Sequence, residues 1–134
     1  DGDLICLAGD LGSGKTTLAQ GIARGWGSLD PVTSPTFVLI NEYRRADSAR
    51  LYHFDAFRLG GVAEALALGL EELLERDGPV LVEWPDRVAE GLPANRLWVV
   101  LRWADESRRS LHLEAAGPRY ERLLKQFRKA AFGG

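Results

Sequence analysis

The segment Gly9-Asp10-Leu11-Gly12-Ser13-Gly14-Lys15-Thr16 constrains this chain more than any other stretch. Its spacing is G-x-x-x-x-G-K-[ST], and each fixed position has a physical task. The glycines let the backbone curl around an anion and adopt positive φ. The amides and the following helix N-terminus then face phosphates. Lys15 reaches toward the β- and γ-phosphates, and the Thr16 hydroxyl ligates Mg²⁺, a hard cation that shares oxygen ligands with phosphate. The competing reading is a glycine-rich turn that matches by accident. With glycine at about 7% of average usage, a chance match in so short a chain is on the order of one in a hundred. Context lowers that further. Leu4-Ile5-Cys6-Leu7-Ala8 is a continuous apolar run, as expected for a strand buried on both faces. After the loop, Leu18, Ala19, Ile22 and Ala23 recur at helical spacing, and Gly25 and Gly27 are expected to stop that helix. The cofactor-binding set is therefore Asp10, Leu11, Gly12, Ser13, Gly14, Lys15, Thr16 and Thr17, and the expected ligand is ATP, with Mg²⁺ on Thr16.

A chain of 134 residues supports one domain, taken as residues 1–134. Apolar residues at 46% and charged residues at 27% are ordinary globular usage, and no apolar run reaches the length of a membrane span. A formal charge of −2 gives no overall attraction to nucleic acid. The single cysteine, Cys6, forms no internal disulfide and suits a reducing compartment, so a cytoplasmic location is expected. The chain starts Asp1-Gly2-Asp3, contains no methionine, and enters a core strand almost at once; native N-terminal residues are expected to be missing.

Residues 36–43 and 51–54 read as strands rich in β-formers. The polar stretch between them is too short for a crossover helix, so they should pair antiparallel. Residues 62–76 carry Leu66, Leu70, Leu73 and Leu74 at helical spacing, with Gly69 breaking the segment into two short helices. Val80-Leu81-Val82-Glu83 is a short buried strand ending in an acid. Residues 97–103 and 110–115 form a further hairpin, and 118–131 a closing helix with Tyr120, Leu123, Leu124 and Phe127 inward. Arg119, Arg122, Lys125 and Lys129 form a stripe on that helix whose default role is a solvated face, with RNA or protein contact as the alternative. The fold class is α/β, a P-loop NTPase-like three-layer sandwich with a mixed parallel and antiparallel sheet.

A phosphate loop of this kind works with an acid at the end of a neighbouring strand, which orients the metal directly or through water. Glu83 fits that place, and Asp55, which follows the strand 51–54, competes for it, with an ion pair to Arg58 as its alternative. Lys15, Glu83 and Asp55 form the catalytic set, with Thr16 and Glu83 as metal ligands. Thr33-Ser34-Pro35-Thr36 occupies the loop where nucleotide sensing is common, though its hydroxyls also suit simple turn capping. His53 is expected to pack or bond within its strand, and His112 to point out of a peripheral one. Neither has a partner at metal-ligand spacing, which argues against zinc. Trp84 either stacks on a base or partner or anchors the strand end.

The ordered strings G-D-L-G-S-G-K-T, T-S-P-T-F, Y-H-F-D-A-F-R-L and V-E-W-P-D resemble the TsaE family of bacterial ATPases, which serve formation of threonylcarbamoyladenosine next to the anticodon of tRNA. The resemblance spans residues 9–86. It implies a mixed-sheet P-loop fold, ATP and Mg²⁺ binding, and weak partner-dependent hydrolysis yielding ADP. It implies TsaD and TsaB family proteins as partners, with tRNA met indirectly through the complex and no membrane association. Lys15 and Thr16 would hold phosphate and metal, Glu83 would match the family's metal-orienting acid, Asp55 the acid of its H-x-D motif, and Thr33 to Thr36 its switch-like loop. Phe57 stands where the family often has tyrosine, and members usually carry a strand and helix before the P-loop strand. The alternatives are a small-molecule P-loop kinase, against which stands the lack of a clear arginine-dense lid segment between residues 59 and 79 of this chain, and a nucleotide-gated binding module without catalysis. A GTPase would be expected to carry an N-K-x-D type guanine-reading motif, which does not occur here.

Overall fold

The computed structural model describes residues 3–9, 15–30, 40–56, 59–103, 105 and 108–132. The apolar run after Asp3 forms strand β1, Leu4–Gly9, at the interior of a six-stranded sheet. The other strands are β2 (Ile40–Arg44), β3 (Arg50–Asp55), β4 (Val80–Glu83), β5 (Arg96–Trp103) and β6 (Arg109–Ala116), in the spatial order β2-β3-β4-β1-β5-β6. The inner strands β3, β4, β1 and β5 run parallel, while β2 and β6 pair antiparallel at the two edges. The sheet is mixed because each edge strand returns through a short hairpin, whereas the parallel neighbours β3 and β4 are joined through helices α2 (Val62–Ala67) and α3 (Leu70–Leu74). Strand β2 begins at Ile40 within the described residues; positions 36–39 lie outside them.

Alternation along β1 sends its side chains to two cores. Leu7 packs with Ala19 of helix α1 (Lys15–Trp26), with Tyr43, Leu51, Leu81 and Val99, and against the half-buried Ile22 and Trp26. Leu4 and Cys6 pack with Phe54, Val82, Ala65, Leu70 and Leu73 on the face covered by α2 and α3. The result is a helix–sheet–helix sandwich, as expected. Helix α4 (Pro118–Phe132) packs on β6, and its buried Tyr120 hydroxyl accepts a hydrogen bond of 2.7 Å from the Leu4 amide, tying the last element to the first.

Three details differ from the sequence reading. Helix α1 runs through Gly25 and ends only at Trp26, where Gly27 takes φ 106° and the Gly27 and Ser28 amides both bond the Ala23 carbonyl. One helical glycine costs too little to end a helix whose apolar face is buried. Leu66 is 44% exposed, because the six-residue α2 turns Ala65 rather than Leu66 to the core. Phe127 is 48% exposed: past Leu124 the described side chains of α4 are exposed, so the second half of the helix buries less than its spacing suggests. The break at Gly69 is as expected, with that residue at φ 97°.

Candidate functional site at the carboxyl edge of the sheet

Strands β3 and β4 end level with one another at Asp55 and Glu83, and β1 runs on past them to Gly9. Leu7 is in register with Glu83, and Asp55 with Glu83. In-register residues of parallel neighbours are roughly 4.8 Å apart and project to the same face, here the one that α1 covers. Ligands of open parallel sheets bind at this carboxyl edge. Strand β1 ends at Gly9 and helix α1 begins at Lys15.

Gly9 ends β1 at φ 137°, and a Cβ there would stand 2.0 Å from the Leu101 carbonyl oxygen of the neighbouring strand. Only glycine lets β1 leave the sheet at this point. Asp10, Leu11, Gly12, Ser13 and Gly14 lie outside the described residues, as do Thr33 to Thr36, Phe57 and Arg58. Lys15 opens α1 and is 5% exposed; its Nζ donates to the Gly9 carbonyl at 3.0 Å and lies 4.1 Å from the centroid of the Trp84 ring. Thr16 follows in the first turn, its side chain outside the described set, and Thr17 is exposed.

Trp84 reaches Lys15 from a left-handed backbone, φ 58° and ψ 49°. For a residue with a bulky side chain this conformation costs roughly 1–2 kcal/mol, and its amide bond to the Leu7 carbonyl, 3.2 Å, pins it beside β1. Trp84 thus anchors the strand end under the lysine.

Glu83 is 3% exposed. A buried carboxyl group needs hydrogen-bonding partners, and the fully buried His53 is one: its Nε2 is 2.5 Å from Glu83 Oε2, while its Nδ1 is 2.9 Å from the Tyr43 hydroxyl. His53 therefore bonds to both flanking strands rather than within its own. The packing is as expected and the bonding is not, for a geometric reason: side chains meet cross-strand neighbours more readily than their own i±2 positions. His112 is exposed and pairs with Glu114. Cys6 takes no part, since burial pushes its thiol up to about 12, only partly opposed by the Arg96 charge.

The structure thus brings Lys15, Trp84, Glu83 and Asp55 to one edge and adds Tyr43 and His53, which sequence reasoning missed. The parity of His53 and Asp55 along β3 was available in the sequence; their alignment with Glu83 needed the parallel register of β3 on β4. The donor chemistry fits a Mg²⁺–triphosphate: Lys15 brings a buried ammonium for phosphate oxygens, and Glu83 and Asp55, in register on neighbouring strands, bring hard oxygen ligands for a metal that takes its remaining ligands from phosphate and water.

A mixed six-stranded sheet with a glycine-marked exit from β1, and a lysine and acid converging at its carboxyl edge, defines a P-loop-like α/β protein. Residues 1–111 match the family model for "Threonylcarbamoyl adenosine biosynthesis protein TsaE". The chain belongs to the TsaE family, which takes part in threonylcarbamoyladenosine biosynthesis on tRNA. It is 42% identical over 125 residues to the "tRNA threonylcarbamoyladenosine biosynthesis protein TsaE" of Bacillus subtilis, covering 93% of this chain and 77% of that protein. It is 33% identical over 111 residues to the protein of the same name from Treponema pallidum, covering 83% and 81%. The crystal structure of Bacillus subtilis YdiB superposes with a TM-score of 0.80 at 38% identity, covering 96% of this chain and 78% of that one. Among the described residues no helix is long and apolar enough to cross a membrane.

Proposed function

We propose that this chain binds ATP with Mg²⁺ through Asp10 to Thr17 and hydrolyses it slowly, as a switch that serves TsaD and TsaB family partners in the cytoplasm and meets tRNA only through their complex. The observation that carries the reading is the placing of buried Lys15 against Trp84, the residue that follows buried Glu83 at the carboxyl edge of β1 and β4. Opposite charges held in a dry edge act more strongly than in water, and they are already oriented before any reaction begins.

Lys15 would balance charge on the β- and γ-phosphate oxygens, the Thr16 hydroxyl and Glu83 would hold the metal, and Asp55 would order water beside the γ-phosphate. A Mg²⁺ held by Thr16 and Glu83 would supply Lewis acidity toward the phosphate charge. Trp84 fixes Lys15 so that little side-chain freedom is lost on binding.

The test is ATP turnover alone and with purified TsaD and TsaB, for the parent chain, Lys15→Ala and Glu83→Ala. Turnover that rises with partners and collapses in both variants supports the switch. A formed complex without stimulation overturns it and directs attention to phosphate transfer onto a small acceptor.

A further inference from the structure

A side chain that holds a reacting carboxylate does as much for its geometry as the backbone that carries it. Glu83 stands at the end of β4, and its neighbour Trp84 has left the extended region, so the sheet fixes its Cα but not the plane of its carboxylate. Side chains from β3 and β2 bear on that plane. The His53 Nε2 meets Glu83 Oε2, and the Tyr43 hydroxyl meets His53 Nδ1, with all three residues buried.

We propose that Tyr43 and His53 are positioning residues for Glu83: Tyr43 locks the His53 tautomer, and His53 locks the carboxylate in the orientation used at the metal. This rests on the reading of Glu83 as the metal-orienting acid. An ionised carboxylate only accepts hydrogen bonds, so the Nε2 facing it carries the proton. Nδ1 then presents a lone pair, which the Tyr43 O–H fills. Without that phenol the ring could also carry its proton on Nδ1, and the bond to Glu83 would be lost in that tautomer.

The geometry explains why the line crosses three strands. Tyr43 is paired with Leu51 and His53 with Asn41, so the two side chains meet on a diagonal of the β2–β3 ladder. His53 is paired with Leu81, so it meets Glu83 on a diagonal of the β3–β4 ladder. All three project to the α1 face, where Tyr43 and Leu81 belong to the same buried core. A purely space-filling core would not need a hydroxyl, an imidazole and a carboxylate in bonding sequence. The line runs from the edge strand to the acid beside the lysine.

The experiment compares His53→Leu, His53→Gln, Tyr43→Phe and Glu83→Gln with the parent chain, each first shown to be folded by circular dichroism. Turnover is measured with partners present, the ATP dissociation constant separately, and the ¹⁵N shifts of the His53 ring in the parent chain and in Tyr43→Phe. Removing an outer partner of a metal-site ligand typically costs 10–100-fold, so kcat should fall about 10-fold in Tyr43→Phe and nearer 100-fold in His53→Leu. The ATP dissociation constant should hardly move. His53→Gln, which keeps a donor at the Nε2 position, should restore most of the loss. The parent ring should show a proton on Nε2 and none on Nδ1, and Tyr43→Phe should show a mixture. Full kcat in folded His53→Leu and Tyr43→Phe overturns the proposal, as does a parent ring protonated on Nδ1. Failure of His53→Gln to rescue a folded chain also overturns it, since a space-filling role alone would then suffice. If Glu83→Gln itself retains turnover, the role of Glu83 in the proposed function falls, and the ring shifts still decide whether Tyr43 locks the tautomer. If His53→Leu does not fold, Tyr43→Phe and the parent ring shifts carry the test.

Discussion

Lys15 Nζ stands 4.1 Å from the centroid of the Trp84 ring, and Trp84 holds that ring in place from a left-handed backbone. A desolvated cation–π contact is worth about 2 kcal/mol or more, which is comparable with the roughly 1–2 kcal/mol that the left-handed conformation costs a non-glycine residue. The strain and the contact nearly offset each other, so the arrangement is explained by what it positions rather than by net stability.

That balance separates two substitutions at position 84. Trp84→Ala loses the ring and keeps the backbone cost, whereas Trp84→Gly loses the ring and relieves the cost. Trp84→Gly should therefore be the more stable variant by about 1 kcal/mol in urea unfolding. Both should bind ATP more weakly than the parent chain, since Lys15 then loses the ring against which its ammonium is held. Equal stability of the two variants would mean that the backbone at this position carries no strain.

Glycines 9 and 25 make opposite predictions from one chemical change. At Gly9 a methyl group would meet the Leu101 carbonyl oxygen at 2.0 Å, with φ at 137°. Gly9→Ala should cost more than ~3 kcal/mol or prevent folding, as steric conflict with backbone cannot relax. At Gly25, inside α1, a Cβ meets nothing within 4 Å. Gly25→Ala should stabilise the chain by roughly 0.5–1 kcal/mol. Thermal unfolding of the two variants checks both signs.

Helix α4 offers a test of where its binding energy lies. The Leu4 amide donates to the Tyr120 hydroxyl at 2.7 Å in a buried setting. Tyr120→Phe leaves that amide without its acceptor, which should cost ~1–3 kcal/mol. Amide exchange at Leu4 should speed up in the same variant. Phe127→Ser, at a half-exposed position of the helix, should cost less than Tyr120→Phe. A larger loss from Phe127→Ser than from Tyr120→Phe would show that the second half of α4 is anchored more firmly than the first.

The strand order was less legible than the strands. Period and composition located β1, β3, β4, the β5–β6 hairpin, and the helix break at Gly69, because each rests on local pattern. Leu66 and Phe127 misled, since helical spacing reports a face and not whether anything is there to cover it. The site divided in the same way. Lys15, Glu83 and Asp55 could be named from a motif and from strand ends, and the structure places them on one edge. Tyr43 and His53 could not, because their link to Glu83 depends on two cross-strand registers that no local pattern encodes. Trp84 could be named but not interpreted; its contact with Lys15 arises from a left-handed turn that a tryptophan does not advertise.

Cys6 links burial to alkaline stability. Its thiol is fully enclosed between β1 and the α2–α3 face, and desolvation pushes it from an ordinary value of 9.0 up to about 12. Below pH 9 the folded and unfolded chains both keep the thiol proton, and the stabilising effect is fully present. Between pH 9 and about 12 the unfolded chain releases the proton while the folded chain retains it. The unfolded state then binds fewer protons, so stability falls as pH rises, by up to ~1.4 kcal/mol per pH unit from this group. Tyr120, also raised by burial, adds to the slope in the alkaline range, so the difference between the parent chain and Cys6→Ala isolates the thiol. Urea unfolding from pH 8 to 11 should show a steeper decline for the parent chain than for Cys6→Ala, and a thiol reagent should label Cys6 only after unfolding. Parallel pH profiles would mean that water reaches Cys6 in the folded state, and the two cores would then have to open along β1.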